Sequence, residues 1–206
     1  MVEQRNLARR FLIVCEGTAT EPNYFYGLSK STDRKKFFIK IVPAGRVTLS
    51  LVKEAVKLKE EDEEYDEVWC VFDRDFKAES KNQQNFNAAI TLAQKEGIKL
   101  AISNDAFELW YLLHFEYYSS ATHRSNLRKM LSVKSRLGEK YEKNCEDMYE
   151  KLKDGKETAI ANAKRLWESN DIPLSDNSPG ELIRKHNQNP STTVHLLVEE
   201  LSQYIE

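Results

Sequence analysis

The chain has 206 residues, 40% of them hydrophobic and 31% charged, with a formal net charge of −2. That length suits one sizeable domain, or one domain with a substantial appendage, and the near-balanced charge excludes a protein that coats nucleic acid through global charge while allowing a local basic face. The amino terminus carries neither a signal-like nor a membrane-spanning run, so a cytoplasmic protein without membrane association is expected, and Cys15, Cys70 and Cys145 lack the CxxC spacing of a zinc site, which points to packing roles.

Phe11-Leu12-Ile13-Val14-Cys15 is apolar without alternation, the pattern of a strand covered on both faces in a parallel sheet. It stops at Glu16-Gly17, where glycine permits a tight turn. Thr20 can cap a helix and Glu21-Pro22 suits its first turn, predicting a helix over 23–28. Phe37 to Val42 is a second strand, closed by Pro43-Ala44-Gly45. From Thr48, Leu49, Val52 and Val56 step at helical spacing toward Glu60–Glu67, a run holding seven acids that reads as a solvated helix end. Glu67 to Phe72 is the third strand, and it ends in Asp73-Arg74-Asp75. Phe86, Ala89, Ile90 and Ala93 mark a helix ended by Gly97, and Ile98 to Ser103 is a fourth strand. Asn104 or Asp105 is then expected to cap an almost wholly apolar helix that contains Glu108.

This alternation predicts an α/β fold: a mainly parallel sheet of about four strands with flanking helices over residues 1–118. Beyond Tyr118 the pattern changes, and residues 119–206 are expected to form a helical extension packing on the sheet. Residues 124–137, 141–152 and 158–167 read as helices, with no further strand. The Pro- and Gly-containing stretch 172–189 reads as a long connector, and Asn189 to Val194 as the start of a last helix.

The acids carry the chemical argument. Asp73 and Asp75 project the same way from a strand, roughly 6–7 Å apart at Cα, on the edge where open α/β sheets hold ligands. Glu16 follows strand one and Glu108 follows strand four, so adjacency of strands one and three would gather them. Crowded carboxylates repel unless a cation intervenes, and an all-oxygen set favours Mg²⁺ or Mn²⁺, the metals of phosphate chemistry. Glu108 must find a partner, a proton or a metal, since an unpaired buried charge costs several kcal/mol; a core arginine or tyrosine would serve as well. Glu16 and Glu21 equally suit the acidic first turn of a helix. The segment 122–143 holds seven lysines and arginines against Glu139 and Glu142. Arg124, Arg128 and Lys129 there, and Arg74 between the two aspartates, are candidate phosphate contacts; a solvated basic helix face is the alternative for the former.

Glu16-Gly17-x-x-Thr20-Glu21-Pro22-Asn23-Tyr24-Phe25, Phe72-Asp73-Arg74-Asp75, Ser103-Asn104-x-x-Phe107-Glu108-Leu109-Trp110-x-Leu112-Leu113-His114-Phe115 and Asn189-Pro190-Ser191-Thr192 together resemble the RloB-like family, related to the Toprim fold of topoisomerases, primases and OLD-type nucleases. The resemblance implies a Toprim-like, Mg²⁺-dependent nuclease of a bacterial phage-defence or restriction-associated locus, often accompanied by an AAA or ABC-type ATPase. It makes Glu16 a general acid/base or metal ligand, Asp73 and Asp75 holders of Mg²⁺, and Glu21 and Glu108 motif positions that join the catalytic set. The chain departs from the family pattern at Phe76-Lys77, where a histidine is common, and at Asp105-Ala106, in place of Pro-Cys. A homo-oligomer is compatible with this reading, as is a non-catalytic subunit that docks on an ATPase.

Overall fold

Four parallel strands and one short antiparallel strand form a single sheet in the order β2-β1-β3-β4-β5, from β1 (Arg9–Cys15), β2 (Phe37–Pro43), β3 (Glu67–Asp73), β4 (Lys99–Asn104) and β5 (Ser191–Thr192). A computed structural model of the chain describes residues 8–33, 37–74, 80–133, 136–169 and 178–204. The unbroken apolar runs of β1 and β3 follow from their central places. In β1, Phe11, Ile13 and Cys15 enter one core while Leu12 and Val14 enter the other, all fully buried. Side chains alternate along a strand, so a strand covered on both faces has no position left for a polar residue.

Helices α2 (Thr48–Glu61) and α3 (Ser80–Lys95) cover one face, packing Leu51, Val52, Ala55, Phe86, Ala89 and Ile90 against it. The other face is covered by α1 (Thr20–Lys30), α4 (Glu108–Leu113), α7 (Lys156–Ser169) and α9 (Val194–Ser202). Its core is aromatic: the Tyr24 ring lies 5.4 to 6.2 Å from those of Phe25, Phe107, Trp110, Tyr111 and Tyr149. Residues before and after 118 share this core, with Leu127, Leu131, Ala163 and Leu197 packed among Trp110, Leu112 and Leu113.

The carboxy-terminal half departs from the sequence reading in four places. Ser191–Thr192 is a strand, antiparallel to β4 through Ser103 and Asn104, so the last helix begins only at Val194. The expected connector contains α8 (Pro179–His186), which Ser178 caps by accepting from the Glu181 amide. Helix α5 spans only Arg124–Leu131, and α6 only Met148–Leu152. Near the sheet edge, neither Asn104 nor Asp105 caps α4, whose N-cap is Phe107. Asn104 instead donates to the carbonyls of His186 and Gln188, at 3.1 and 2.8 Å.

The chain leaves β1 toward β2 on one side, then crosses to β3 on the other. The strand order therefore reverses between β1 and β3, and the crevice beyond their carboxyl ends is where such sheets take ligands.

Candidate functional site

Glu16 stands directly after β1. Its amide donates to the Val71 carbonyl at 2.9 Å, and its Oε2 accepts from the Asp73 amide at 3.1 Å. The carboxylate is thereby stapled across the point where the strand order reverses. Asp73 ends β3 with its Oδ2 at 3.9 Å from Arg124 Nη1, while its Oδ1 is buried without a hydrogen-bond partner. Buried polar atoms are nearly always paired, so a carboxylate oxygen facing a cavity with no partner among the described residues marks a place for a further group.

Glu21, only 5% exposed, lies in the first turn of α1, where its own amide and that of Gly17 favour its charged form. Its carboxylate fills the space that a side chain on residue 17 would occupy, so any larger residue at 17 must displace it. Glu108 is 2% exposed and its Oε1 accepts from Arg128 Nε at 2.8 Å and from the Tyr141 hydroxyl at 3.2 Å. Asp105 accepts from the Arg124 amide at 2.8 Å, and Arg124 Nη2 returns a bond of 2.8 Å to the Asp105 carbonyl.

These groups converge. Glu16, Glu21, Asp73, Glu108, Arg124, Arg128 and Lys143 line one cavity of about 160 Å³. Four carboxylates thus face three cations. Burial pushes the Asp73 carboxyl well above its ordinary range, and the charges of Glu21, Glu16 and Glu108 push it further, against the pull of Arg124. Glu21 is raised by burial first, with the neighbouring charge of Glu108 adding and the backbone amides and Lys143 opposing. Lys143 reaches the rim because its segment is tied to the start of α1: the Thr20 hydroxyl donates to the Lys143 carbonyl at 3.0 Å, and Asn23 to that of Asn144 at 3.2 Å.

The cavity gathers Glu16, Asp73 and Glu108, which stand at strand exits, together with Glu21, and adds Arg124 and Arg128, expected as substrate contacts but ion-paired with acids. Lys129 is outside it, on an adjoining hollow. Arg74 is 3% exposed and lines a second cavity, of about 130 Å³, with Glu16 and Asp73. It donates to Asn187 Oδ1 at 2.8 Å and lies 4.4 Å over the Phe86 ring, so its surroundings are protein groups. Asp75 lies outside the described residues. His114 is a core histidine whose Nδ1 meets the Trp110 carbonyl at 2.9 Å. The sequence reading missed Asp105, Tyr141 and Lys143 as members of this neighbourhood; the departure at Asp105 from the family pattern was a usable signal for the first, and nothing local marks the others.

Among the described residues, no three His, Cys, Asp or Glu side chains are disposed to hold a metal ion. The described donors still suit a hard cation, since the orphaned Asp73 Oδ1 and the neighbouring Glu16 are oxygen ligands in a polar recess.

The architecture defines an α/β protein with a carboxylate-lined recess at the switch point of a mostly parallel sheet. A family model described as RloB-like protein matches residues 11–201, nearly the whole chain, and the protein belongs to that family. No curated protein and no solved structure matches it. Among the described residues, no helix is long and apolar enough to cross a membrane.

Proposed function

We propose that the protein is a metal-dependent nuclease with a Toprim-like site, hydrolysing phosphodiester bonds of DNA or RNA in a bacterial defence or restriction-associated system. The observation that carries this reading is the buried, unpartnered Oδ1 of Asp73 in a cavity shared with Glu16, Glu21 and Glu108. Asp73 and Glu16, with Asp75, would hold Mg²⁺ or Mn²⁺. A cation bound there would polarise the phosphoryl oxygen and lower the pKa of water. Glu16 is fixed by the Asp73 amide beside that position and would take the proton of the attacking water as its oxygen bonds to phosphorus. Glu21, raised by burial, is suited to keep a proton for the oxygen that leaves as the P–O bond breaks. Arg124, whose Nη1 lies 3.9 Å from Asp73 Oδ2, would exchange that pairing for the negative charge of the phosphate.

The pairing of Glu108 with Arg128 and Tyr141, and of Asp105 with Arg124, favours a second reading: a non-catalytic subunit that serves an AAA or ABC-type ATPase partner and uses these ion pairs structurally. Cleavage of single-stranded DNA, double-stranded DNA and tRNA with Mg²⁺ or Mn²⁺, alone and with a neighbouring ATPase, separates the two. The nuclease reading expects metal-dependent cleavage that Asp73→Ala abolishes. Cleavage that survives Asp73→Ala would overturn it, and in vivo activity of a Glu16/Asp73/Asp75 triple alanine would select the second.

A further inference from the structure

Beside the acid cavity lies a hollow of about 290 Å³ lined by Arg128, Lys129, Ser132, Lys140, Tyr141 and Lys143. Arg128 and Lys143 belong to both spaces, and Tyr141 divides them with its hydroxyl on Glu108. Lys129, Lys140 and Lys143 are exposed, and among the described residues none of them has an ion-pair partner. Arg128 engages Glu108 through Nε alone, and its side chain is 36% exposed. Among the described residues, no carboxylate lines the hollow. Like charges around one concavity repel each other and focus a positive field into it, an arrangement that favours a bound anion.

We infer that this hollow holds the backbone phosphate of a single nucleic-acid strand, next to the phosphate at the acid cavity. The strand runs from Asp73 past Arg128 and Lys143 toward Lys129 and Lys140. This rests on the nuclease reading above and gives it a substrate class. The acid centre is recessed, with Glu21 5% and Glu108 2% exposed. A flexible strand can lower one phosphate into such a recess and lay the next in the hollow, whereas a stiff duplex holds its phosphates on an outer surface. The one aromatic in the lining, Tyr141, is 7% exposed with its hydroxyl engaged, so no base stacks there. Contacts to phosphate alone position a strand without reading its sequence.

Binding of a labelled oligonucleotide, single-stranded or duplex, to the full chain in chelating buffer tests this by fluorescence anisotropy across a salt series. For single strands each phosphate no longer neutralised lowers the magnitude of the slope of log K against log salt by about 0.7, so Lys129→Ala/Lys140→Ala/Lys143→Ala, which strips the hollow of its one phosphate, is expected to lower it by about 0.7. Lys53→Ala, on α2 outside the hollow, is expected to leave the slope unchanged, and Lys140→Glu to weaken binding more than Lys140→Ala. Wild type is expected to bind the strand more tightly than the duplex. An unchanged slope in a triple variant that keeps its melting temperature, alongside wild-type cleavage, would overturn the hollow and leave the nuclease reading intact. Tighter duplex binding would overturn the single-strand assignment. Failure of wild type to bind or cleave any nucleic acid, with metal and partner present, would overturn both.

Discussion

Arg128 Nε lies 2.8 Å from Glu108 Oε1, joining a helix of the carboxy-terminal half to an acid buried at the start of α4. The acid keeps 3% side-chain exposure and the arginine 36%. Removing the cation alone leaves a desolvated carboxylate with only the Tyr141 hydroxyl. Arg128→Ala is expected to cost about 2–4 kcal/mol, less than the loss for a wholly buried pair because Arg128 is partly solvated. Adding Glu108→Gln should restore most of that loss, since the amide needs no counter-charge. Chemical denaturation of the two singles and the double measures the coupling. Additive losses would show that the pair does not anchor the helix.

Gly17 is the second sensitive point, because the Glu21 carboxylate lies where a Cβ would go. Gly17→Ala must displace that carboxylate, and since the displaced atoms are the far end of a flexible side chain the cost is about 1 kcal/mol, the low end for overpacking. Metal-dependent cleavage is expected to fall by roughly 100-fold, the low end of what a positioned acid/base group supplies. Gly27→Ala, which meets the Tyr149 side chain in the α1–α6 contact, is expected to cost stability while sparing the rate per folded molecule. Equal rates per folded molecule in both variants would remove Glu21 from the chemistry.

The parts of this arrangement that the sequence reveals are those specified locally. Phe11 to Cys15 and Val68 to Phe72 are apolar at every position because both faces are covered, and that is visible without neighbours. Glu16 and Asp73 stand at strand exits, so their convergence needs only the order of the strands. Ser191–Thr192 is a strand solely because β4 offers Ser103 and Asn104 to pair with, and two residues carry no periodicity. Helix α8 was legible in principle. Ser178-Pro179-Gly180-Glu181 holds a cap residue, a proline suited to the first turn and an acid at the position a capping box uses, but Pro-Gly also marks a loop. The partners of Glu108 come from residues 20 and 33 positions away, a distance no local pattern spans.

Three buried histidines set the response to acid. Burial holds His114 and His195 to about 4 and His186 to about 3. An unfolded histidine titrates near 6.5, so between about pH 6.5 and 4 the unfolded chain binds protons that the folded chain refuses. Their contribution is present above about pH 6.5 and is lost as pH falls, at about 1.4 kcal/mol per pH unit for each histidine. His186→Phe preserves the ring packed 4.9 Å from Trp167 and removes one of the three protons. Denaturation at a series of pH values should show the variant losing stability less steeply than wild type by about that amount per pH unit. The carboxylates are common to both proteins and cancel. Parallel curves would mean that His186 takes up its proton as readily folded as unfolded.

Asp73 works in the opposite sense. Its carboxyl is raised first by burial and then by Glu21, Glu16 and Glu108, so the folded state holds the proton more tightly than the unfolded chain does. Stability from that proton is complete below the ordinary carboxylate value of about 4 and is lost as pH rises through the raised one. Asp73→Asn resembles the protonated form at every pH and retains the contribution throughout. In chelating buffer the melting temperature of Asp73→Asn relative to wild type is therefore expected to increase as pH rises from about 4 toward the raised value of the Asp73 carboxyl, by on the order of a few °C. Added Mg²⁺ should act on wild type alone, because a ligand that binds only the folded state raises its stability in proportion to occupancy, and the amide withdraws the charge that the cation needs. Removal of Mg²⁺ by chelation should return wild type to its lower melting temperature. A variant whose advantage narrows with rising pH, or one that gains as much from Mg²⁺ as wild type does, would show that Asp73 neither carries a buried charge nor holds the cation.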